Sequence, residues 1–333
     1  MKTQPSVKVS VKARELFSDA LVWDMTLPWE TDALDQTTLP RFKAAGVDVV
    51  SLTVNMPTFD ATIRHIAAVL AEIRAHADTM TLIGGVDDAL AAKDAGKLAL
   101  TFNLQETNVL DGDLSMIDVY YQLGVRHMLL AYNQKNRVGD GCAERTDAGL
   151  SRFGVRVVQE MNRVGMLVDG THCGYRTTME AMEISQAPFI FSHCNAWAVV
   201  PHYRNIKDDQ IKACAGTGGV IGINGLGEFL DDPNANSESM FRHLDHMVNL
   251  VGAQHVGIGL DYVKNTAGFW DWVRANPDMW PPVDGKPHHD TKFAQPEQLA
   301  QLCELMLSHQ YSENDVRAIL GGNFMRVASE VWK

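Results

Sequence analysis

Short apolar runs alternate with amphipathic segments along one acidic chain of 333 residues. That alternation predicts an α/β fold, a (β/α)8 TIM barrel with C-terminal helices and a long loop over the barrel mouth. Two further observations support it. The runs are almost continuously apolar, as strands buried on both faces must be. The composition, 46% hydrophobic and 21% charged, supplies enough apolar residues for one large core. Residues 1–333 therefore read as a single domain, since barrels of this kind reach such lengths undivided.

The strand candidates are 20–24, 47–54, 98–104, 126–132, 166–170, 188–192, 219–224 and 255–261, with an extra short run at 80–85. Helices are expected between them. Segment 63–77 carries Ile66, Val69, Leu70 and Ile73 at helical spacing. Segment 152–163 does so with Phe153, Val157, Val158 and Met161, and 237–251 with Met240, Leu244, Met247 and Val248. Segment 270–290 is different: it holds Trp270, Trp272 and Trp280 with Pro277, Pro281, Pro282 and Pro287. It reads either as a loop lying over the mouth or as a surface meander packed by its own tryptophans. Helices follow at 296–308 and 313–320. Gly321 and Gly322 interrupt the pattern before a closing helix at 323–332.

A net charge of −12 without a basic patch excludes a nucleic-acid partner. No apolar run reaches the length of a membrane span, and the stretch from Met1 to Glu15 lacks the apolar core of a signal peptide. Five cysteines form neither a CxxC motif nor a disulfide framework, so a reduced, cytoplasmic protein is expected.

The chemistry is expected at the carboxyl ends of the strands. His172 closes Met166-Leu-Val-Asp-Gly-Thr-His172, and His193 closes Pro188-Phe-Ile-Phe-Ser-His193. Two imidazoles on consecutive strands are half of a metal site. The adjoining Cys173 and Cys194 should face the helix layer, because neighbouring residues on a strand point to opposite faces. Asp24 and Asp261 close the first and last strands, which are neighbours in a closed barrel. Asp261 is placed as a proton acceptor or ligand. Arg204, after the His193 strand, has the fork geometry to clamp a carboxylate. Gln105 and the pair Tyr132-Asn133 follow the third and fourth strands and should look into the same mouth.

These stretches resemble the membrane dipeptidase (renal dipeptidase) family of amidohydrolase-like barrels, from about residue 20 to the C-terminus. The resemblance is carried by Leu110-Asp-Gly-Asp-Leu114, Leu123-Gly-Val-Arg126, the segment 141–154, Val168-Asp-Gly-Thr-His172, Phe191-Ser-His193, Tyr203-Arg-Asn205 and Gly321-Gly-Asn-Phe324. It implies a zinc-dependent hydrolase of dipeptides, often a homodimer. His172 and His193 match the two histidines on one zinc, Arg204 the arginine that holds the substrate carboxylate, and Asp261 the aspartate of proton transfer.

Three positions depart from the family pattern. The first strand's His-x-Asp pair is replaced by Asp24 and Thr26 in Asp24-Met-Thr-Leu-Pro-Trp29, the bridging glutamate by Gln105, and a substrate-contacting histidine by Tyr132. A neutral glutamine bridges two dications poorly, so the resemblance implies one zinc rather than two. That ion would sit on His172 and His193, with Asp24, Asp261 or Gln105 as further ligands. A metal-activated water would attack a dipeptide or a small carboxylated amide. Asp261 would act as base, Tyr132 as donor to the oxyanion, and Arg204, Asn133 and Tyr132 would contact the substrate. A lyase or isomerase on the same barrel, or an inactive binding homologue, is the alternative.

Overall fold

The computed structural model describes residues 7–28, 37–283 and 285–333. Among the described residues the strands are β1 (Trp23–Pro28), β2 (Val49–Thr53), β3 (Met80–Leu82), β4 (Leu98–Leu104), β5 (Val125–Leu129), β6 (Leu167–Asp169), β7 (Phe189–Phe191), β8 (Val220–Ile223) and β9 (Val256–Ile258). Every pairing is parallel. β2 pairs with β4 and β1 with β9, which closes an eight-strand barrel. The extra run became β3, a short strand that pairs with the first half of β4 while β5 takes the second half. All seven residues of β4 are buried, as its unbroken apolar pattern requires.

The first strand differs from its expectation. It begins at Trp23 and runs through Asp24 to Pro28, so Asp24 lies near its start rather than at its end. The carboxylate does not terminate the strand because its Oδ1 accepts the amides of Thr26 and Leu260, at 3.3 and 2.8 Å. A register shift between Asp24 and Leu27 then moves the chain on by a residue. Trp29, next in the motif, lies outside the described residues.

Helices cover the barrel. The helix Arg152–Val164 buries Val157, Val158, Met161 and Val164, and stops at Gly165, whose φ of 95° suits a residue without a side chain. Ser237–Val251 matches its predicted span. The tryptophan-rich segment begins as a helix, Thr266–Ala275, and not as a loop. Asn265 caps it through the Gly268 amide, and Trp270 and Val273 face inward. Beyond it, Trp280 is 3% exposed, so the following loop packs onto the barrel. The closing helix Asn323–Val331 sends Phe324, Val327 and Val331 against Trp23, Val49, Leu167, Ile190 and Val220, plugging the amino-terminal end of the barrel. No helix among the described residues is long and apolar enough to cross a membrane.

Candidate active site

His172 and His193 converge as the sequence predicts, and their ring nitrogens are the key geometry. Both are buried, at 3% and 0% exposure, and their Nε2 atoms lie 3.1 Å apart. His172 follows β6 with φ of 66°, a left-handed turn that directs its ring back across the barrel mouth. Its Nδ1 lies 2.7 Å from Asn133 Oδ1, which also accepts the Cys142 thiol at 3.3 Å. His172 Nδ1–H is therefore the donor, and Nε2 keeps its lone pair. The Asn133 backbone is backed by Gly141, where a side chain would fall 2.1 Å from the Asn133 carbonyl carbon.

His193 reaches the same state by other contacts. Its Nδ1 lies 2.8 Å from Ser192 Oγ and 3.0 Å from Thr26 Oγ1. The Thr26 hydroxyl donates to the Met25 carbonyl at 2.7 Å, so it accepts from His193. His193 Nε2 is then also a lone pair. Two lone pairs facing each other at 3.1 Å repel unless a cation or a proton lies between them. Burial, Arg204 and, for His172, its partner imidazole push both rings well below the ordinary histidine value, so a shared proton is disfavoured. The pair fits one divalent ion, given metal–nitrogen bonds of about 2.0–2.1 Å.

Each of the other expected ligands has contacts of its own. Asp24 is in register with Val50 and Ile258, residues of the apolar core; its Oδ1 accepts two backbone amides, and its buried Oδ2 has no hydrogen-bond partner. Past the bulge, it is Thr26 that meets His193. Gln105 gives its amide to Thr53 Oγ1 at 3.1 Å, and its backbone is held by Asn55. Asp261 Oδ2 lies 4.0 Å from His193 Nε2 and 3.1 Å from Asn224 Nδ2. Among the described residues no group of three or more His, Cys, Asp or Glu is arranged to hold a metal. Burial raises Asp261 to about 7 against the opposing pull of Arg204 and the Asn224 hydrogen bond.

Two cavities flank the histidines. The larger, about 750 Å³, is lined on one side by Gln105, Glu106, Tyr132 and Asp261. Its other side is apolar, with Phe269, Trp272, Met279 and Trp280. Tyr132 stacks on His172 with ring centroids 3.9 Å apart, and Trp280 stands edge-on to both rings at 6.2 Å. The smaller, about 200 Å³, holds Arg204 together with His172, Cys142, Cys173 and Cys194. Arg204 lines the smaller cavity and not the wide one. The cysteines line this cavity instead of facing only the helix layer, because strand alternation has ended by the time the chain reaches them. Asn133 is fully buried; its Oδ1 orients the His172 ring, and its Nδ2 has no hydrogen-bond partner.

Arg204 is 2% exposed, and its Nε and Nη2 have no hydrogen-bond partner. The Phe229 ring lies 5.1 Å from the guanidinium carbon, and the charge acts on two thiols that burial keeps protonated, Cys142 pushed up to about 12 and Cys194 to about 11. A buried, permanently charged fork with free donors is built for an anion.

Sequence reasoning missed the support beneath the pair. His127 bridges Ser51 Oγ at 2.9 Å and Asp169 Oδ2 at 3.0 Å, all fully buried. A histidine and an aspartate inside otherwise apolar strands were the available signal. His288, which meets Glu228 and the Trp280 carbonyl, carried no signal beyond its place in the proline-rich loop.

A profile of the membrane dipeptidase family (peptidase family M19) matches residues 9–333. An uncharacterized dipeptidase of Schizosaccharomyces pombe is 35% identical over 184 residues, 53% of this chain and 44% of the relative. A dipeptidase of Claviceps purpurea is 29% identical over 260 residues, 77% of this chain and 56% of the relative. The chain thus spans about half the length of these curated relatives. Among solved structures, an amidohydrolase from Pseudomonas aeruginosa superposes with a TM-score of 0.85 at 28% identity, covering 96% of this chain and 99% of that one.

Proposed function

The chain belongs to the membrane dipeptidase family, and on that premise we propose that it is a hydrolase of dipeptides or small carboxylated amides that uses one divalent ion, zinc, held by His172 and His193. The observation that carries this reading is the facing pair of Nε2 lone pairs at 3.1 Å. A divalent ion there supplies Lewis acidity, lowering the pKa of a water and polarising a carbonyl. The chain's own residues do the rest. Asn133 on one side, and Ser192 with Thr26 on the other, hold each Nδ1 proton away from the centre and so fix both rings. Arg204 takes the substrate carboxylate. Asp261, 15% exposed and facing the wide cavity, accepts and returns a proton. Tyr132, whose phenol burial holds far above its ordinary value, stays a donor at every working pH and faces the oxyanion.

The departures at Asp24, Thr26 and Gln105 support one ion over two. Thr26 and Gln105 are neutral, so neither supplies an anionic bridge between two dications, and the Gln105 amide is given to Thr53. A panel of dipeptides, assayed with metal-depleted and zinc-restored protein, tests the reading. Hydrolysis that vanishes on depletion and returns with zinc is expected. Undiminished turnover in metal-free protein contradicts it.

A further inference from the structure

The loop over the site is tied down through one imidazole. His288 Nδ1 lies 2.8 Å from Glu228 Oε1, and its Nε2 lies 3.1 Å from the carbonyl oxygen of Trp280. A carboxylate and a carbonyl are both acceptors, so both ring nitrogens donate and the ring is an imidazolium. The side chain is 5% exposed, so water does not compete for these contacts. The tied residue is the one whose indole stands over His172 and Tyr132.

We propose that His288 is a positioning residue: as an imidazolium it fastens the Trp280 backbone to Glu228 and so sets the roof of the site over His172 and Tyr132. The inference leans on the hydrolase reading only in taking His172 as part of the reacting centre.

The neighbours of His288 are consistent with a charged ring. Glu228 faces it from the short helix Gly227–Leu230. His202 faces it from the loop after β7, and burial holds that ring down at about 3, so it stays neutral. Tyr203 faces Glu228, its phenol pushed up by burial and uncharged. The Trp270 ring, from helix Thr266–Ala275, lies 6.3 Å away and carries no charge. Burial opposes the charge on His288. The hydrogen bond and negative charge of Glu228, with the Trp280 and Pro281 carbonyls, outweigh it and raise the group above its ordinary value of 6.5.

The strap is intact below the ordinary histidine range and is lost as pH rises through the raised value. The Nε2 proton leaves first, because the Nδ1 proton faces a carboxylate. A lone pair then confronts the Trp280 carbonyl, and the contact turns repulsive.

The test needs neither substrate nor metal, so its failure is separable from failure of the hydrolase reading. Protein labelled with fluorotryptophan is titrated from about pH 5 to about pH 9 by fluorine NMR. Trp280→Phe identifies the Trp280 line. In the wild type that line should titrate with a midpoint above 6.5. His288→Gln should flatten the curve, and Glu228→Gln should lower its midpoint by roughly 1–3 pH units. A purely structural role for His288 moves no midpoint. A Trp280 line that ignores pH in the wild type overturns the proposal. So does an unchanged curve in His288→Gln, or, if that variant does not fold, an unchanged midpoint in Glu228→Gln.

Discussion

Two layers of buried histidine lie close together in this barrel, and they are built in opposite ways. In the lower layer, His127 has both nitrogens engaged, by Ser51 and Asp169. Asp169 in turn accepts the amides of Thr171 and Ser192, and Asn103 donates to the Ser51 carbonyl. In the upper layer, His172 and His193 point lone pairs at each other, and Arg204 Nε and Nη2, Asn133 Nδ2 and Tyr203 Oη find no partner. Buried polar groups are nearly always satisfied, so a closed network belongs to the scaffold and an open one belongs to a ligand.

That contrast can be broken at either layer. The largest effect is expected above: His172→Gln or His193→Gln should abolish metal retention and take turnover to background while the protein still unfolds cooperatively. Elemental analysis and thermal melts read both. Next, Arg204→Met should lower kcat/KM for a carboxylated substrate by about 2–5 kcal/mol, roughly 30- to 4,000-fold. The corresponding carboxamide should be affected much less, and equal losses for both would remove the anion from the account.

Below, the expected outcome is loss of stability. Asp169→Asn strips the charge from a buried pair and should cost about 3–5 kcal/mol in denaturant unfolding at neutral pH. Burial alone would raise Asp169, but the His127 hydrogen bond and charge depress it below its ordinary value of 3.8. Its contribution is therefore present above that value and fades as pH falls through the depressed one. The deficit of the variant should shrink in acid.

Asp24 reverses the sign. Burial, against the pull of the Leu260 and Thr26 amides, raises it from 3.8 to about 7. A raised carboxylate costs nothing below about pH 4, and its penalty grows as pH rises to about 7. Asp24→Asn keeps the Oδ1 acceptor and removes the charge. It should stabilise by roughly 4 kcal/mol at pH 8 and leave stability at pH 4 nearly unchanged.

Much of this was legible in the sequence. Continuous apolar runs located the barrel strands, because burial on both faces leaves no other pattern. His172, His193 and Asp261 were singled out because strand ends collect the chemistry, and the fold brings the two histidine rings together. Asp24 was misplaced at a strand end because its two backbone partners, the Thr26 and Leu260 amides, include one more than two hundred residues away. No local pattern reports such a pairing, nor the bulge that hands the His193 contact to Thr26. Arg204 was singled out for its place after the His193 strand, but no local pattern reports the small cavity it lines or its unpartnered Nε and Nη2. The helix Thr266–Ala275 was hidden by prolines that begin only beyond it, at Pro277.

The central claim is that His172 and His193 together hold a single ion. Zinc titrated into metal-depleted protein by calorimetry, with elemental analysis of the product, tests it most directly. The account predicts one zinc per chain in the wild type and none in His193→Gln. Two zinc ions per wild-type chain, or undiminished binding in His193→Gln, would contradict it.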